Sequence, residues 1–374
     1  MAGEKALLLW LVAVLANMAP LGNAFTMLHQ HNSNTTRDEK LIVVIKPSAC
    51  QGSTRTGTCL PYFQCAKVSG GDVDGKCSYG LGECCVFERT CGASSPASLT
   101  YFTSRSKDAT VVGTCALTIT KGNNICQLRL YMKELELSEP NADGVCVKQY
   151  LEVQGISGGA PRICGTNSGQ HLYVDVRADT GPYKVGVVNM DNNPLSSWDI
   201  EVQQVPCDSD ERLAPTGCSQ YYTGVSGHVK SFNYATQPTT QLQANGDPGS
   251  RHLQETYTIC VRQEPGYCSL KWTPAPGDAY AFTLTGNLIA NPNIPLPIFN
   301  VATDQLCPFT DYLVITDGRI PLETGTTSVF CGSLFPESVT SDSFRATVVA
   351  NDQEFADDDL DNRGFHLQYD QVAC

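Results

Sequence analysis

The chain has 374 residues, 18 of them cysteines, and a formal charge of −13 from 25 basic and 38 acidic side chains. With 41% hydrophobic residues and 17% charged ones, it has the apolar material for packed cores and too little charge for a disordered chain. The acidic balance excludes a sequence-independent grip on nucleic acid, which needs lysine and arginine to neutralise phosphate.

Lys5 precedes an apolar run over residues 6–16, and Gly22, Asn23 and Ala24 place small residues where a signal peptidase reads. We read residues 1–24 as a secretory signal ending at Ala24. The competing reading, an uncleaved anchor, falls short because about a dozen apolar residues do not reach the ~20 needed to span a bilayer. No later run is long and apolar enough to span, and the C-terminal residues lack the apolar tail of a lipid-anchor signal. The expectation is a secreted, extracellular protein with no membrane insertion. All 18 cysteines follow the signal, and an even number in an oxidising compartment predicts up to nine bridges.

Residues 25–49 form a polar N-terminal segment. It carries the sequon Asn34, Thr35, Thr36, which makes Asn34 the expected glycosylation site. His29 and His31, a pair able to touch a metal, lie in the same stretch, where a disordered tail is the simpler reading. Next come Cys50, Cys59, Cys65, Cys77, Cys84 and Cys85, within 36 residues rich in Gly, Ser and Thr. So short a segment buries little core and needs staples. Adjacent Cys84 and Cys85 are poorly placed to bridge each other, because neighbouring Cα atoms sit ~3.8 Å apart and an unstrained disulfide wants ~4.4–6.8 Å. Zinc competes for clustered cysteines, but the CxxC spacing of a zinc site is missing.

The remaining cysteines form two sets of six: Cys91, Cys115, Cys126, Cys146, Cys164 and Cys207, then Cys218, Cys260, Cys268, Cys307, Cys331 and Cys374. In each set the fifth opens a Cys-Gly pair, Cys164-Gly165 and Cys331-Gly332, and the sixth follows 43 positions later. This is an internal repeat. Tyr150 to Val153 and Tyr312 to Ile315 follow the fourth cysteines, and Trp198, Ile200 and Val202 precede Cys207 by the same steps as Phe365, Leu367 and Tyr369 precede Cys374. Such period-two runs between Gly, Pro, Asn and Asp signals read as half-buried strands. The expected fold is all-β, two antiparallel β-sandwiches over residues 91–207 and 218–374 behind a small disulfide-rich domain over residues 50–85, with 208–217 as a polar linker.

In the last unit, GHVKSFNY over 227–234, the Cys260 strand, CPFTDYLVITDG over 307–318, Cys331-Gly332 and GFHLQY over 364–369 follow one another as in a CUB domain, which this unit resembles. The preceding unit resembles it through Cys91-Gly92, CALTI over 115–119, CVKQYL over 146–151 and Cys164-Gly165. The first set, ending in Cys84-Cys85, resembles a clip-type knot. Together they are similar to secreted arthropod proteins that carry a clip-like head and tandem CUB modules without a protease domain. The resemblance implies a jelly-roll sandwich used for extracellular protein or glycan recognition. It also implies the pairs Cys91–Cys115, Cys146–Cys164, Cys218–Cys260 and Cys307–Cys331, and Cys50–Cys84, Cys59–Cys77 and Cys65–Cys85 in the knot. The extra cysteines of each copy are expected to join as Cys126–Cys207 and Cys268–Cys374. Six cysteines allow 15 connectivities.

Catalysis is not expected. Residues 155–161, around Ser157, superficially resemble a serine-protease nucleophile loop, but a Gly-rich hairpin turn explains them and no adjacent Asp or His-Cys base motif supports a nucleophile. The other histidines, His171, His228, His252 and His366, are scattered, and His366 alternates with core positions Phe365 and Leu367. Calcium is the one cofactor the CUB resemblance implies, through Asp311 and Asp352, with Asn351 and Asp357 to Asp359 nearby. The family's Glu is missing from AFTLTG over 281–286, and the first copy has Gln149 where the Asp should be, so a solvated acidic loop competes. The apolar stretch 288–299 offers a recognition loop or folds back on its own sandwich. The expected function is a non-enzymatic extracellular binding or adaptor protein. The alternative is a non-catalytic regulator of an extracellular serine protease cascade.

Overall fold

The computed structural model describes residues 25–28, 42–45, 48–67, 71–104, 112–141, 143–191, 196–234, 251–278, 281–284, 307, 311–332, 334–350 and 362–374. Residues 1–24, His29, His31, Asn34, the stretch 288–299, Asn351, Asp352 and Asp357 to Asp359 lie outside them. The chain divides into two compact units, residues 1–87 and 88–374. Among the described residues the architecture is nearly all-β, with one helical turn at Gln64–Lys67 and a 3-10 turn at Ser78–Gly80. No helix among the described residues is long and apolar enough to cross a membrane.

In the first unit Phe25–Leu28 pairs antiparallel with Ile42–Ile45. A small sheet follows, in the order Ser48–Gln51, Thr56–Pro61, Gly82–Arg89, Gly71–Cys77. Cys84 and Cys85 are successive residues of one strand, so their side chains leave opposite faces and bond to different partners. The bridges are Cys50–Cys84, Cys59–Cys77 and Cys65–Cys85, with Cα separations of 5.8, 5.8 and 5.6 Å.

The second unit holds both sandwiches. In the first, one sheet runs His171–Asp175, Ile125–Glu136, Ser197–Pro206, Leu99–Thr103, and faces a sheet of Gln149–Gln154, Tyr183–Asn189, Gly113–Ile119 and Ser94–Ser95. Alternation buries Trp198, Ile200 and Val202 from one strand, against Leu117, Leu151 and Val185 of the facing sheet. In the second sandwich, Gln220–Tyr222, Tyr257–Val261, Arg345–Val349, Tyr312–Gly318 and Thr327–Phe330 face Ser226–Lys230, Gly364–Ala373, Tyr267–Pro274 and Val339–Ser341. Phe365, Leu367 and Tyr369 fill its core with Trp272, Leu313 and Val348.

Six bridges lie here: Cys91–Cys115, Cys126–Cys207, Cys146–Cys164, Cys218–Cys260, Cys268–Cys374 and Cys307–Cys331. Cys126–Cys207 and Cys268–Cys374 each clamp two strands that already pair, at Ile125 with Pro206 and at Tyr267 with Ala373.

The segment 208–217, expected as a polar linker, is mostly exposed and is anchored at one residue. Ala214 is buried, its N–H donates to Gln127 Oε1 at 2.9 Å, and its carbonyl accepts from Gln127 Nε2 at 2.8 Å. Arg177 Nη1 donates to Thr216 Oγ1. A carboxamide that satisfies both backbone groups of one residue lets that residue be buried within an otherwise exposed segment.

Candidate binding site

Asp311 precedes the strand Tyr312–Gly318, and by alternation it shares the inward face of Leu313 and Ile315. It is accordingly 2% exposed. The buried residue that meets it is His252, whose Nε2 lies 3.2 Å from Asp311 Oδ2 and 3.1 Å from the Leu284 carbonyl. Both neighbours are acceptors, so Nε2 carries its hydrogen. The His252 amide donates to the Asn362 carbonyl at 2.8 Å, which fixes the backbone behind the ring. Burial alone would pull the imidazolium's pKa down. The hydrogen bond and charge of Asp311, with the Leu284 carbonyl, outweigh it and raise His252 above its ordinary value.

This geometry bears on calcium. A hard cation takes six to eight oxygens, whereas the Asp311 carboxylate faces a ring nitrogen, His252 Nε2, 3.2 Å away. Among the described residues no group of three or more His, Cys, Asp or Glu is arranged to hold a metal. Asp352, the other expected ligand, and Asn351 and Asp357 to Asp359 beside it lie outside the described residues. His252 escaped the sequence reading because it lies in an irregular segment far from Asp311 in the chain.

Ser157 sits in an exposed turn with its amide on Asp179 Oδ2 at 3.2 Å. The described histidines are engaged elsewhere. His171 Nε2 accepts from the Tyr221 amide at 2.9 Å. His366, which alternates with core positions, is half-buried, with Nδ1 3.3 Å from Asp278 Oδ2 and its ring 5.1 Å from that of His228.

A second surface was not legible in advance. Among the described residues the exposed Phe, Tyr and Trp side chains are Tyr62, Phe63 and Tyr79, at 39, 74 and 80%. All three stand on two turns of the knotted unit. The turns are tied together where Tyr62 Oη donates to the Gly80 carbonyl at 2.6 Å, between Tyr79 and exposed Leu81. Phe63 and Tyr79 hold φ of 67° and 55°, a conformation that non-glycine residues adopt at a cost. The sequence signal was the aromatics beside Pro61 and Gly80 in an otherwise small-residue segment.

Residues 215–372 match the model of the animal CUB domain. The matched segment is the second sandwich, with the His252–Asp311 pair inside it. Among solved structures, the CUB1-EGF-CUB2 domains of rat MASP-1 are 13% identical, covering 74% of this chain and 98% of that one at a TM-score of 0.25. The CUB1-EGF-CUB2 domain of human MASP-1/3 is 15% identical, covering 74% and 100% at a TM-score of 0.23. Likeness at that level transfers no arrangement or partner to this chain. No curated protein matches it.

Proposed function

We propose that the protein is secreted, with residues 1–24 removed and Asn34 glycosylated. In this reading it works without catalysis, as an extracellular binding or adaptor protein that holds a protein or glycan partner. The observation that carries the proposal is the CUB match over residues 215–372, because CUB domains are interaction modules. Nine disulfides among the described residues suit an oxidising compartment and present rigid surfaces, which lowers the entropic cost of binding. The first sandwich enters the proposal as a second CUB-like copy, and residues 50–85 as a clip-like head.

The test is crosslinking of the mature protein in native extracellular fluid, with calcium and with chelator, followed by identification of what is held. A partner recovered with the intact chain and reduced several-fold by Phe63→Ala with Tyr79→Ala, or by truncation to residues 1–207, supports the reading. Turnover of a substrate that is lost on substitution of a carboxylate or serine would replace it with an enzyme.

A further inference from the structure

The second unit keeps its two sandwiches in contact through two edge strands. His171–Asp175 ends a sheet of the first sandwich and Gln220–Tyr222 ends a sheet of the second. The Tyr173 N–H donates to the Ser219 carbonyl at 2.7 Å, and the Tyr221 N–H donates to His171 Nε2 at 2.9 Å. Each edge thus covers the other, which removes two templates for unwanted strand pairing. Tyr173 and Val205 pack there against Ala214, Tyr221 and Cys260. Gln170 extends the contact, donating to the Ser231 carbonyl and accepting from Gln220 Nε2 at 3.0 Å.

Asn233 has the most exacting place. It is 1% exposed and reaches out of the second sandwich with every polar atom of its amide and side chain engaged. Its N–H donates to Asn167 Oδ1 at 2.7 Å, and its Oδ1 accepts from the Thr166 amide at 2.8 Å. Its Nδ2 donates to Glu139 Oε2 at 2.8 Å and, within its own sandwich, to the Arg251 carbonyl at 2.7 Å. The first sandwich is shaped to receive it: a Cβ on Gly165 would stand 2.0 Å from Asn233 Oδ1. A Cβ on Gly144 would likewise stand 2.7 Å from the His252 carbonyl, beside the bond from the Gln254 amide to the Gly144 carbonyl.

Buried donors and acceptors with fixed directions allow one relative orientation, because any other leaves them buried without partners. We infer that residues 88–374 act as one rigid recognition body in which Asn233 bolts the second sandwich to the first at Gly165. A partner then reads a composite surface that neither sandwich offers alone. The inference stands whichever partner is found.

Residue-resolved hydrogen exchange on the full chain tests it. The reporting amides are Thr166, Tyr173, Tyr221, Asn233 and Gln254, which bond across the contact. The references are Thr118 and Val261, which bond within one sandwich each. Rigid union predicts that reporters and references exchange within tenfold of each other, and a larger gap in favour of the reporters means that the sandwiches swing. Asn233→Asp removes the Nδ2 donor and sets a charge beside Glu139. It is expected to speed exchange at Thr166 and Tyr221 at least tenfold relative to the references, and a smaller effect removes Asn233 as the bolt. If Asn233→Asp does not accumulate, Gly165→Ala probes the same contact from the first sandwich with the same two outcomes. Glu139→Gln keeps an acceptor for Asn233 and should leave protection within tenfold of wild type.

Discussion

His171 and His252 are both buried, yet their surroundings drive them in opposite directions. Burial and the nearby Arg129 charge push His171 down to about 3. The unfolded chain takes up a proton near pH 6.5 that the folded one refuses, so stability is complete above that value and is lost as pH falls toward 3. Each unit of difference is worth about 1.4 kcal/mol, or roughly 5 kcal/mol over the whole window. Denaturant midpoints of wild type should therefore fall more steeply between pH 7 and 4 than those of His171→Gln, and equal slopes would contradict this. Burial raises Glu139, with its pKa also lifted by Glu136, and so contributes with the opposite sign, which is why the comparison is made against the variant. His252 is raised: its contribution is present below the unfolded value and lost as pH climbs through the folded one. Thermal midpoints should drop more between pH 6 and 8 in wild type than in His252→Gln. A variant that keeps the wild-type pH dependence would show that the Asp311 contact does not hold the proton.

Strands owe their places to alternation, and their stability to the side chains alternation buries. Trp272 is 1% exposed and stacks edge-on against its cross-strand neighbour Tyr369, with centroids 6.2 Å apart. Trp272→Ala should cost about 3–5 kcal/mol, read as a shift in denaturant midpoint at unchanged slope. Replacing Cys126 and Cys207 together by Ala should cost about 2–4 kcal/mol while leaving the two strands paired, because the bridge acts mainly on the unfolded chain. Loss of the Ile125–Glu136 pairing itself would show that the bridge organises the strand. The final strands of both sandwiches were legible from Trp198, Ile200, Val202 and Phe365, Leu367, Tyr369, since a period of two in bulky side chains has one structural meaning. The two-residue strand Ser94–Ser95 was not, because its parallel pairing with Thr118 and Ile119 rests on backbone bonds that leave no mark on side-chain choice.

At the scale of the molecule, the segment 208–217 is mostly exposed, as its composition suggests, and is pinned at one residue. Glu211, Arg212 and Pro215 suggest a solvated tether, and they are exposed, but Ala214 between them is held by Gln127 and both flanking sandwiches meet beside it. Cleavage after Arg212 should leave the two halves of residues 88–374 together in native buffer. Denaturant without reductant should then part them, because no disulfide crosses this segment. Halves that separate in native buffer would show that the contact is too weak to hold them.

Strand periodicity, the repeat and the grouping of 18 cysteines into three sets of six are written in local spacing and can be read before any fold is known. Asp311 was legible as an acid at the head of a strand, but not the reason for its burial. That His252 faces it, that Asn233 enters the space over Gly165, and that Tyr62, Phe63 and Tyr79 share one surface emerges only on folding. These are meetings between residues distant in the chain, made by irregular segments with no period to read, and fixed by the directions of hydrogen bonds that exist only once both sides have folded.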